Sequence, residues 1–297
     1  MSADLDRLYR ELRGYAFAIA YRMLGSVSDA EDVVQEAFVR LARGVEEPRS
    51  DRAYLATVTT RLALDQLRSS RARRETYPGP WLPEPLVGEL PEPAELADSL
   101  SMAFLVLLEA LNPVERAVFL LHDVFGYDYP EIAGMVDKTE ANCRQLAARA
   151  RKRVRDRPRF EATRAEQDRL ARSFLAACRG QDVDGLVTML ARDAAFYGDG
   201  GAKGTGVPQP VFGRERVAAL VAAIVGAGVR LGVSFEFTHV NGQPGARCLD
   251  PQGRLINVLC LDVADGVVRT VRSVVNPDKL GHLGTLSPIG RRGPERE

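Results

Sequence analysis

"DYPEIAGMVDKTEANCRQLAARARKRV", Asp128 to Val154, decides the fold: it reads as a short apolar helix, a tight turn and a second helix with two unlike faces. On the second helix Cys143, Leu146, Ala147, Ala150 and Val154 recur at three- and four-residue steps and make one apolar face. Glu140, Asn142, Arg144, Gln145, Arg149, Arg151 and Lys152 fall outside it, with Thr139 just ahead of the first turn. A charged helix face is usually only a solvated one. Here it follows a turn of the right length and an apolar partner helix, which is the arrangement of a helix-turn-helix. The first turns of such a helix reach base edges and the later turns meet phosphate, so Asn142, Arg144 and Gln145 are base-reading candidates and Arg149, Arg151 and Lys152 phosphate candidates. Cys143 faces inward and belongs to the core.

Working upstream, Asn112 followed by Pro113 restarts a helix after "SLSMAFLVLLEAL", the asparagine as cap and the proline in the first turn. Nearer the N-terminus, Leu5, Leu8, Tyr9, Leu12, Tyr15, Ala16 and Ile19 mark an amphipathic helix that Gly25 ends. Ser28 then opens "SDAEDVVQEAFVRL", with Glu31 three residues on as in a capping box and Val33, Val34, Ala37, Phe38 and Leu41 as the buried stripe. A third helix is expected from about Arg52 to Arg74. Residues 1 to about 75 therefore read as one helical bundle.

Between the two helical regions lies "YPGPWLPEPLVGELPEPAELAD", Tyr77 to Asp98, which holds six of the 17 prolines and the only tryptophan, Trp81. Proline-rich acidic stretches link domains, whereas a large aromatic is kept where it can bury. Trp81 is thus expected to anchor this strap on another part of the chain.

Charge follows the same division. The formal net charge is zero, yet Arg61 to Arg74 holds five arginines against one acid, and Arg144 to Arg159 eight basic residues against one acid. Glu84 to Asp98 carries five acids and no base. Binding to nucleic acid depends on the local basic patch, because counterions are released where phosphates are neutralised. Composition is that of a globular protein, with 45% apolar and 27% charged residues. No apolar run approaches a membrane span and the start has no signal-peptide pattern, so a cytoplasmic protein without membrane partners is expected. Cys143, Cys178, Cys248 and Cys260 are scattered, without metal-ligand spacing, and are read as reduced thiols.

From about Ala165 the texture changes. "EQDRLARSFLAACRG" and "VDGLVTMLARDA" read as helices, and "VSFEFTHV", "RLINVLCLDV" and "VVRTVRSVV" as strands, the last two joined by a hairpin at "ADG". Helices before a meander predict an α+β cone, a curved antiparallel sheet wrapping helices.

Taken together, "AYRMLGSVSDAEDVVQEAFVRL", "RAYLATVTTRLALDQLRS" and "LEALNPVERAVFLLHDVFGYDYPEIAGMV" with "TEANCRQLAARARKRV" resemble regions 2 and 4 of the bacterial extracytoplasmic-function sigma factors. The resemblance covers residues 1 to about 157. It implies that Asp29, Glu31, Asp32, Gln35 and Glu36 dock on the clamp helices of the RNA polymerase β′ subunit, with a further contact to the β flap. It also implies that Tyr54, Arg61, Arg68, Arg71, Arg73 and Arg74 bind and open the minus-ten element, and that the helix-turn-helix reads the minus-thirty-five element. Arg61 stands where many relatives have asparagine, and Asp137 where the turn often has glycine. Aspartate tolerates the left-handed backbone such a turn needs.

The remainder resembles the SnoaL-like domains of the nuclear-transport-factor-two superfamily, and is similar to the C-terminal extension of one sigma-factor group with "WLPEPL", "DGGGK"-like and "NPDKL" motifs. Here these are Trp81 to Leu86, including Leu82 and Pro83; "DGGAK", Asp199, Gly200, Gly201, Ala202 and Lys203; and Asn276, Pro277, Asp278, Lys279 and Leu280. The resemblance implies regulation in cis by these residues. Residue spacing alone leaves "NPDKL" equally readable as a strand end and "DGGAK" as a permissive loop.

The expected organisation is multidomain: a region 2 bundle over 1–75, a linker over 76–98, a region 4 helix-turn-helix over 99–157, a SnoaL-like domain over 165–285 and a flexible tail over 286–297. The function expected is that of a sigma factor, with no catalytic residue, metal or cofactor. The rival is a small-molecule-binding or isomerase/cyclase-type SnoaL-like enzyme with an accessory DNA-binding half, whose polar candidates are His239, Asp199, Asp262 and Tyr197.

Overall fold

The computed structural model describes residues 3–43, 50–89, 96, 98–154 and 163–291. Contacts group the chain into two units, Met1–Glu75 with Phe104–Arg157 and Thr76–Ala103 with Pro158–Glu297. Both helical regions therefore fall in one unit. The strap expected as a linker belongs to the other.

In the helical unit, α1 (Ala3–Leu24) stops at Gly25, whose φ of 66° glycine adopts without steric cost. Helix α2 (Val27–Ala42) is capped by Ser26, whose side chain accepts a hydrogen bond from the Asp29 amide at 3.1 Å. This corrects the expected cap at Ser28, which instead sits beside the Ser26 hydroxyl. Glu31 accordingly is not a capping-box partner and pairs with Arg13 at 2.6 Å. Of the expected α2 stripe, Val33, Val34, Ala37 and Phe38 are buried, against α1 and α3 (Asp51–Glu75), and Leu41 is half-buried. Leu55, Ala63, Leu64 and Leu67 are the α3 contribution to that core.

Helix α4 (Met102–Leu108) leads to α5 (Pro113–Phe119), where Asn112 and Glu115 cap each other reciprocally. One π-helical turn, Leu120–Val124, precedes α6 (Tyr129–Val136). Asp137 takes the left-handed backbone at φ 54°, and α7 (Glu140–Val154) follows with Cys143, Leu146, Ala147, Ala150 and Val154 all buried. Arg116 fastens these elements together. Its buried guanidinium donates two bonds to the Leu108 carbonyl, one to the Met23 carbonyl at 2.7 Å, and pairs with Glu109 at 2.8 Å. It thereby satisfies carbonyls at the C-terminal ends of α1 and α4, groups that a helix leaves unpaired.

The second unit begins with the strap and continues with α8 (Arg164–Gly180), α9 (Val183–Met189), β1 (Leu190–Asp199), β2 (Val211–Phe212) and α10 (Arg214–Arg230). Strands β3 (Ser234–Val240), β4 (Gln243–Leu249), β5 (Leu255–Ala264) and β6 (Val267–Val274) complete a sheet of order β2-β1-β6-β5-β4-β3. Type I′-like left-handed pairs, Asn241-Gly242 and Asp265-Gly266, close the β3–β4 and β5–β6 hairpins. The sheet is mixed, since β1 runs parallel to β6, which corrects the fully antiparallel expectation. Phe174, Leu186, Val217, Val221, Leu261 and Val271 form the core between helices and sheet.

Residues 286–291, expected as part of a flexible tail, are bound to this unit: the Ser287 amide donates to the Leu255 carbonyl and its hydroxyl to Asp250. Residues 292–297 lie outside the described residues. Among the described residues, all four cysteines are buried and unpaired, no group of side chains is arranged to hold a metal, and no helix is long and apolar enough to cross a membrane.

Replacing Arg116 with leucine removes three hydrogen bonds to buried carbonyls and the ion pair with Glu109. We expect Arg116→Leu to destabilise the helical unit by about 3–5 kcal/mol, read from its urea unfolding midpoint.

Candidate functional site

Helix α7 presents its charged face on a rigid footing. Glu115, on α5 and almost wholly buried, receives Arg153 at 2.7 Å, with Arg149 at 4.0 Å. Arg151 donates to Asp123 at 2.7 Å and to the Tyr129 hydroxyl, which holds its guanidinium above its ordinary pKa. Arg144 pairs with Glu140 and lies over the Tyr129 ring at 5.5 Å. Arg144, Gln145, Arg149, Arg151 and Lys152 are exposed, Asn142 is half-buried, and Thr139 accepts from the Asn142 amide. The helix is thus one basic, ordered surface that an anionic backbone can follow.

The acidic residues of α2 divide. Asp29 accepts from Gln66 at 2.8 Å, Glu31 is held by Arg13, and Glu36 pairs with Arg40 at 2.8 Å. Asp32 and Gln35 are exposed, next to Val39, an apolar side chain left 42% exposed that acid spacing gave no reason to single out. On α3, Tyr54 is half-buried and Arg68 pairs with Asp65 at 3.2 Å. Arg61 reaches a different partner from the one its position suggests: it donates to the carbonyls of Gly134 and Met135 at the C-terminal end of α6. A cation there is favoured by the helix dipole as well as by the two bonds. Arg71, Arg73 and Arg74 lie outside the residues whose side chains the structure describes.

In the second unit the motifs converge on one carboxylate. Asp199, fully buried at the end of β1, accepts from the Tyr77 hydroxyl, from the Leu82 amide at 2.8 Å and from the Lys279 ammonium at 2.6 Å. Lys279 also donates to the Leu82 carbonyl, and its ammonium sits 4.2 Å from the centre of the Trp81 ring and 4.7 Å from that of Tyr77. Two aromatic faces, a carbonyl and a carboxylate therefore enclose a single lysine. Burial, and then the Asp199 charge, push the Tyr77 hydroxyl far above its ordinary pKa, so it stays a donor. Asn276 donates to Tyr77 at 2.8 Å, while its backbone amide donates to the main-chain carbonyl of Asp199 at 2.9 Å.

"DGGAK" and "NPDKL" meet directly. Gly201, at φ 55°, has Asn276 packed where a side chain would begin: a Cβ there would come within 2.4 Å of the amide nitrogen. Gly200 abuts the backbone of Gly204 and Gly206 equally closely. Lys203 bridges to Asp278 at 2.8 Å in the open. Pro277 opens a short 3-10 turn and Leu280, which follows it, is buried. Along the strap Leu82, Pro83, Glu84 and Pro85 are buried while Trp81 is half-buried. His282 bonds the Pro85 carbonyl, Asn241 bonds the Leu86 amide and Leu100 carbonyl, and Gln243 accepts from the Met102 amide. Val87 bridges to Val240, with the Gly88 amide on the His239 carbonyl. Tyr77, Asn241, Gln243 and His282 were not among the sequence candidates, although the Asn241-Gly242 pair is an ordinary hairpin signal.

The polar residues of the enzymatic alternative do not assemble. His239 pairs with Asp168 at 2.9 Å, Asp262 with Arg272, and Asp199 with Lys279. Tyr197 packs edge-on against Phe212. Asp199 and Asp262 are each already committed to a cation.

Comparison with known proteins agrees with this geometry. The family model of sigma-70 region 2 matches residues 8–73, and that of sigma-70 region 4 matches residues 101–154. ECF RNA polymerase sigma factor SigJ of Mycobacterium tuberculosis is 35% identical over 96% of this chain and 94% of its own length. Probable ECF RNA polymerase sigma factor SigI of the same species is 32% identical, covering 93% of this chain and 94% of its own. The crystal structure of SigJ superposes with a TM-score of 0.75 at 34% identity, over 92% of this chain and 97% of that one. The chain belongs to the extracytoplasmic-function sigma factors of the sigma-70 family. It is accordingly a non-enzymatic transcription initiation factor that binds core RNA polymerase and promoter DNA.

The single tryptophan makes the strap contact measurable. Gly201→Ala should cost about 1–3 kcal/mol in strain and displace Asn276, and the check is a red shift of Trp81 emission in the folded protein. Lys279→Ala should produce a larger shift and lose about 3–5 kcal/mol, because Asp199 is then buried without its cation.

Proposed function

We propose that the second unit is a SnoaL-like regulator acting in cis, and that it restrains the sigma regions by holding the strap that joins them. The observation that carries this reading is the enclosure of Lys279 by Asp199, Tyr77, Trp81 and the Leu82 carbonyl, which fixes one end of the strap, while Asn241 and Gln243 fix the other. A proline-rich linker left free would let regions 2 and 4 adjust their spacing to polymerase and promoter. Held at both ends, it permits less of that adjustment. Because the two parts share a chain, their contact works at an effective concentration in the millimolar range, and a modest surface suffices.

In this reading α2 meets the β′ clamp helices through Asp32 and Gln35, with Val39 as an apolar centre and Asp29, Glu31 and Glu36 shaping the surrounding charge. A small apolar anchor inside a polar surface is the usual make-up of such a contact. Region 4 also meets the β flap. Tyr54 and the arginines of α3 handle the minus-ten strand, where stacking on an aromatic is worth about 1–3 kcal/mol per base. On α7, Thr139, Glu140, Asn142, Arg144 and Gln145 face the bases of the minus-thirty-five element, and Arg149, Arg151 and Lys152 its phosphates.

In-vitro transcription with core polymerase tests the regulatory part on the full chain. Lys279→Ala, and alanine throughout Asn276 to Leu280, should raise promoter output at least about fivefold, the lower end of an ordinary coupling energy. Unchanged output from a variant whose Trp81 emission shows a released strap would remove the proposal. For DNA reading, Arg144→Ala should lose about 1–3 kcal/mol of discrimination between promoter variants, whereas Lys152→Ala should weaken all of them alike and lower the salt slope by about 1.

A further inference from the structure

Two cations of α7 meet on a residue that carries no charge. Tyr129 is the first residue of α6, where the cap belongs to Asp128 and proline, the favoured first-turn residue, follows as Pro130. Forming the helix therefore calls for no aromatic at Tyr129. Nor does the core, since the side chain is only half-buried.

Its neighbours account for the choice. The Arg144 guanidinium lies over the ring, 5.5 Å from its centre, and Arg151 donates to the hydroxyl at 3.3 Å. These arginines stand about two turns apart on one face of α7, so a single side chain touches a base-reading and a phosphate candidate. Glu140 pairs with Arg144 within α7 itself, so the ring is what ties this guanidinium to the preceding helix. Arg151 spends Nε on Asp123 and Nη2 on Tyr129, which leaves Nη1 for an anion.

The tyrosine is held in turn. His122 stacks on it with ring centres 4.2 Å apart and planes 25° from parallel. The His122 Nδ1 lies 2.9 Å from the Tyr127 carbonyl and so donates to it, which fixes the imidazole. His122 and Asp123 both belong to the π-helical turn Leu120–Val124. There the Phe125 amide reaches the Leu120 carbonyl at 3.0 Å, one residue further back than in an α-helix. This widened turn thus carries both the stack under Tyr129 and the carboxylate on Arg151.

We infer that Tyr129 is a positioning residue for promoter recognition: its ring aims Arg144 at a base edge, and its hydroxyl holds Arg151 for the phosphate backbone. That role rests on the reading of α7 in which Arg144 meets bases and Arg151 phosphate. Ordering a free arginine during binding weakens an interface by about two- to tenfold, a loss that prior ordering avoids.

The test is transcription by holoenzyme assembled from the full chain, on promoters with single substitutions across the minus-thirty-five element. The readout is the holoenzyme concentration giving half-maximal output on each. Tyr129→Leu should reduce preference by about two- to fivefold, the worth of one exposed cation–π contact, at the same base pair that Arg144→Ala affects and at no other. Tyr129→Phe keeps the ring and should retain that preference, while weakening every promoter alike by about twofold or more. In the Arg144→Ala chain, Tyr129→Leu should cost no further preference, because the two act as one unit. Preference unchanged in folded Tyr129→Leu, or lost additively with Arg144→Ala, overturns the role. Should Tyr129→Leu fail to fold, Tyr129→Phe decides: uniform weakening with preference kept upholds the role, and unchanged affinity or lost preference overturns it. If Arg144→Ala keeps the parent's preference, the base-reading assignment falls and the role with it. If Arg144→Ala loses it and Tyr129→Leu does not, the role alone falls.

Discussion

A carboxylate withdrawn from water needs several donors and a cation close by, and Asp199 meets that requirement with groups drawn from two stretches far from it in sequence: Tyr77 and Leu82 of the strap, and Lys279. Desolvating the pair costs several kcal/mol, so the contact adds less to stability than its short distances suggest. What it adds is selectivity of register. A proline-rich segment lying on an apolar surface has many nearly equal positions, but a single buried lysine between two rings and a carboxylate is satisfied in one. The glycines of "DGGAK" serve the same end by letting Asn276 and the neighbouring backbone come close enough to reach the strap.

The helical unit pairs many of its charges internally. Arg61 occupies the carbonyl end of α6, Arg153 and Arg149 surround buried Glu115, and Arg151 rests on Asp123. Each pairing fixes a long side chain that would otherwise keep its rotamer freedom. Arg61 does more than settle its own charge: through it α3 is tied to the helix-turn-helix by two hydrogen bonds.

What was legible in the sequence was whatever is repeated along a helix. The five apolar positions of α7 all lie inside because each reinforces the same 3.6-residue period, and Asp137 adopts the turn because few residue types can. Single events were harder to read. Ser26 and Ser28 each precede an acid at a plausible spacing, and only the backbone geometry selects Ser26 as cap. The parallel β1–β6 pairing joins segments about 75 residues apart, and no local pattern encodes which way such strands run. Tyr77 was passed over beside Trp81 because a tyrosine in a loop carries no period, and its role exists only where Asp199 and Asn276 converge. The same holds for Arg61, whose type suited DNA and whose partner proved to be a helix end.

One further consequence belongs to β3, the last strand of the sheet. Its end is covered by the strap through the Val87–Val240 bridge and the bond from Gly88 to His239. An uncovered sheet edge is a template on which another chain can add a strand. The same few bonds that seat the strap therefore also shield this margin, and a strap lifted from β3 would leave it bare.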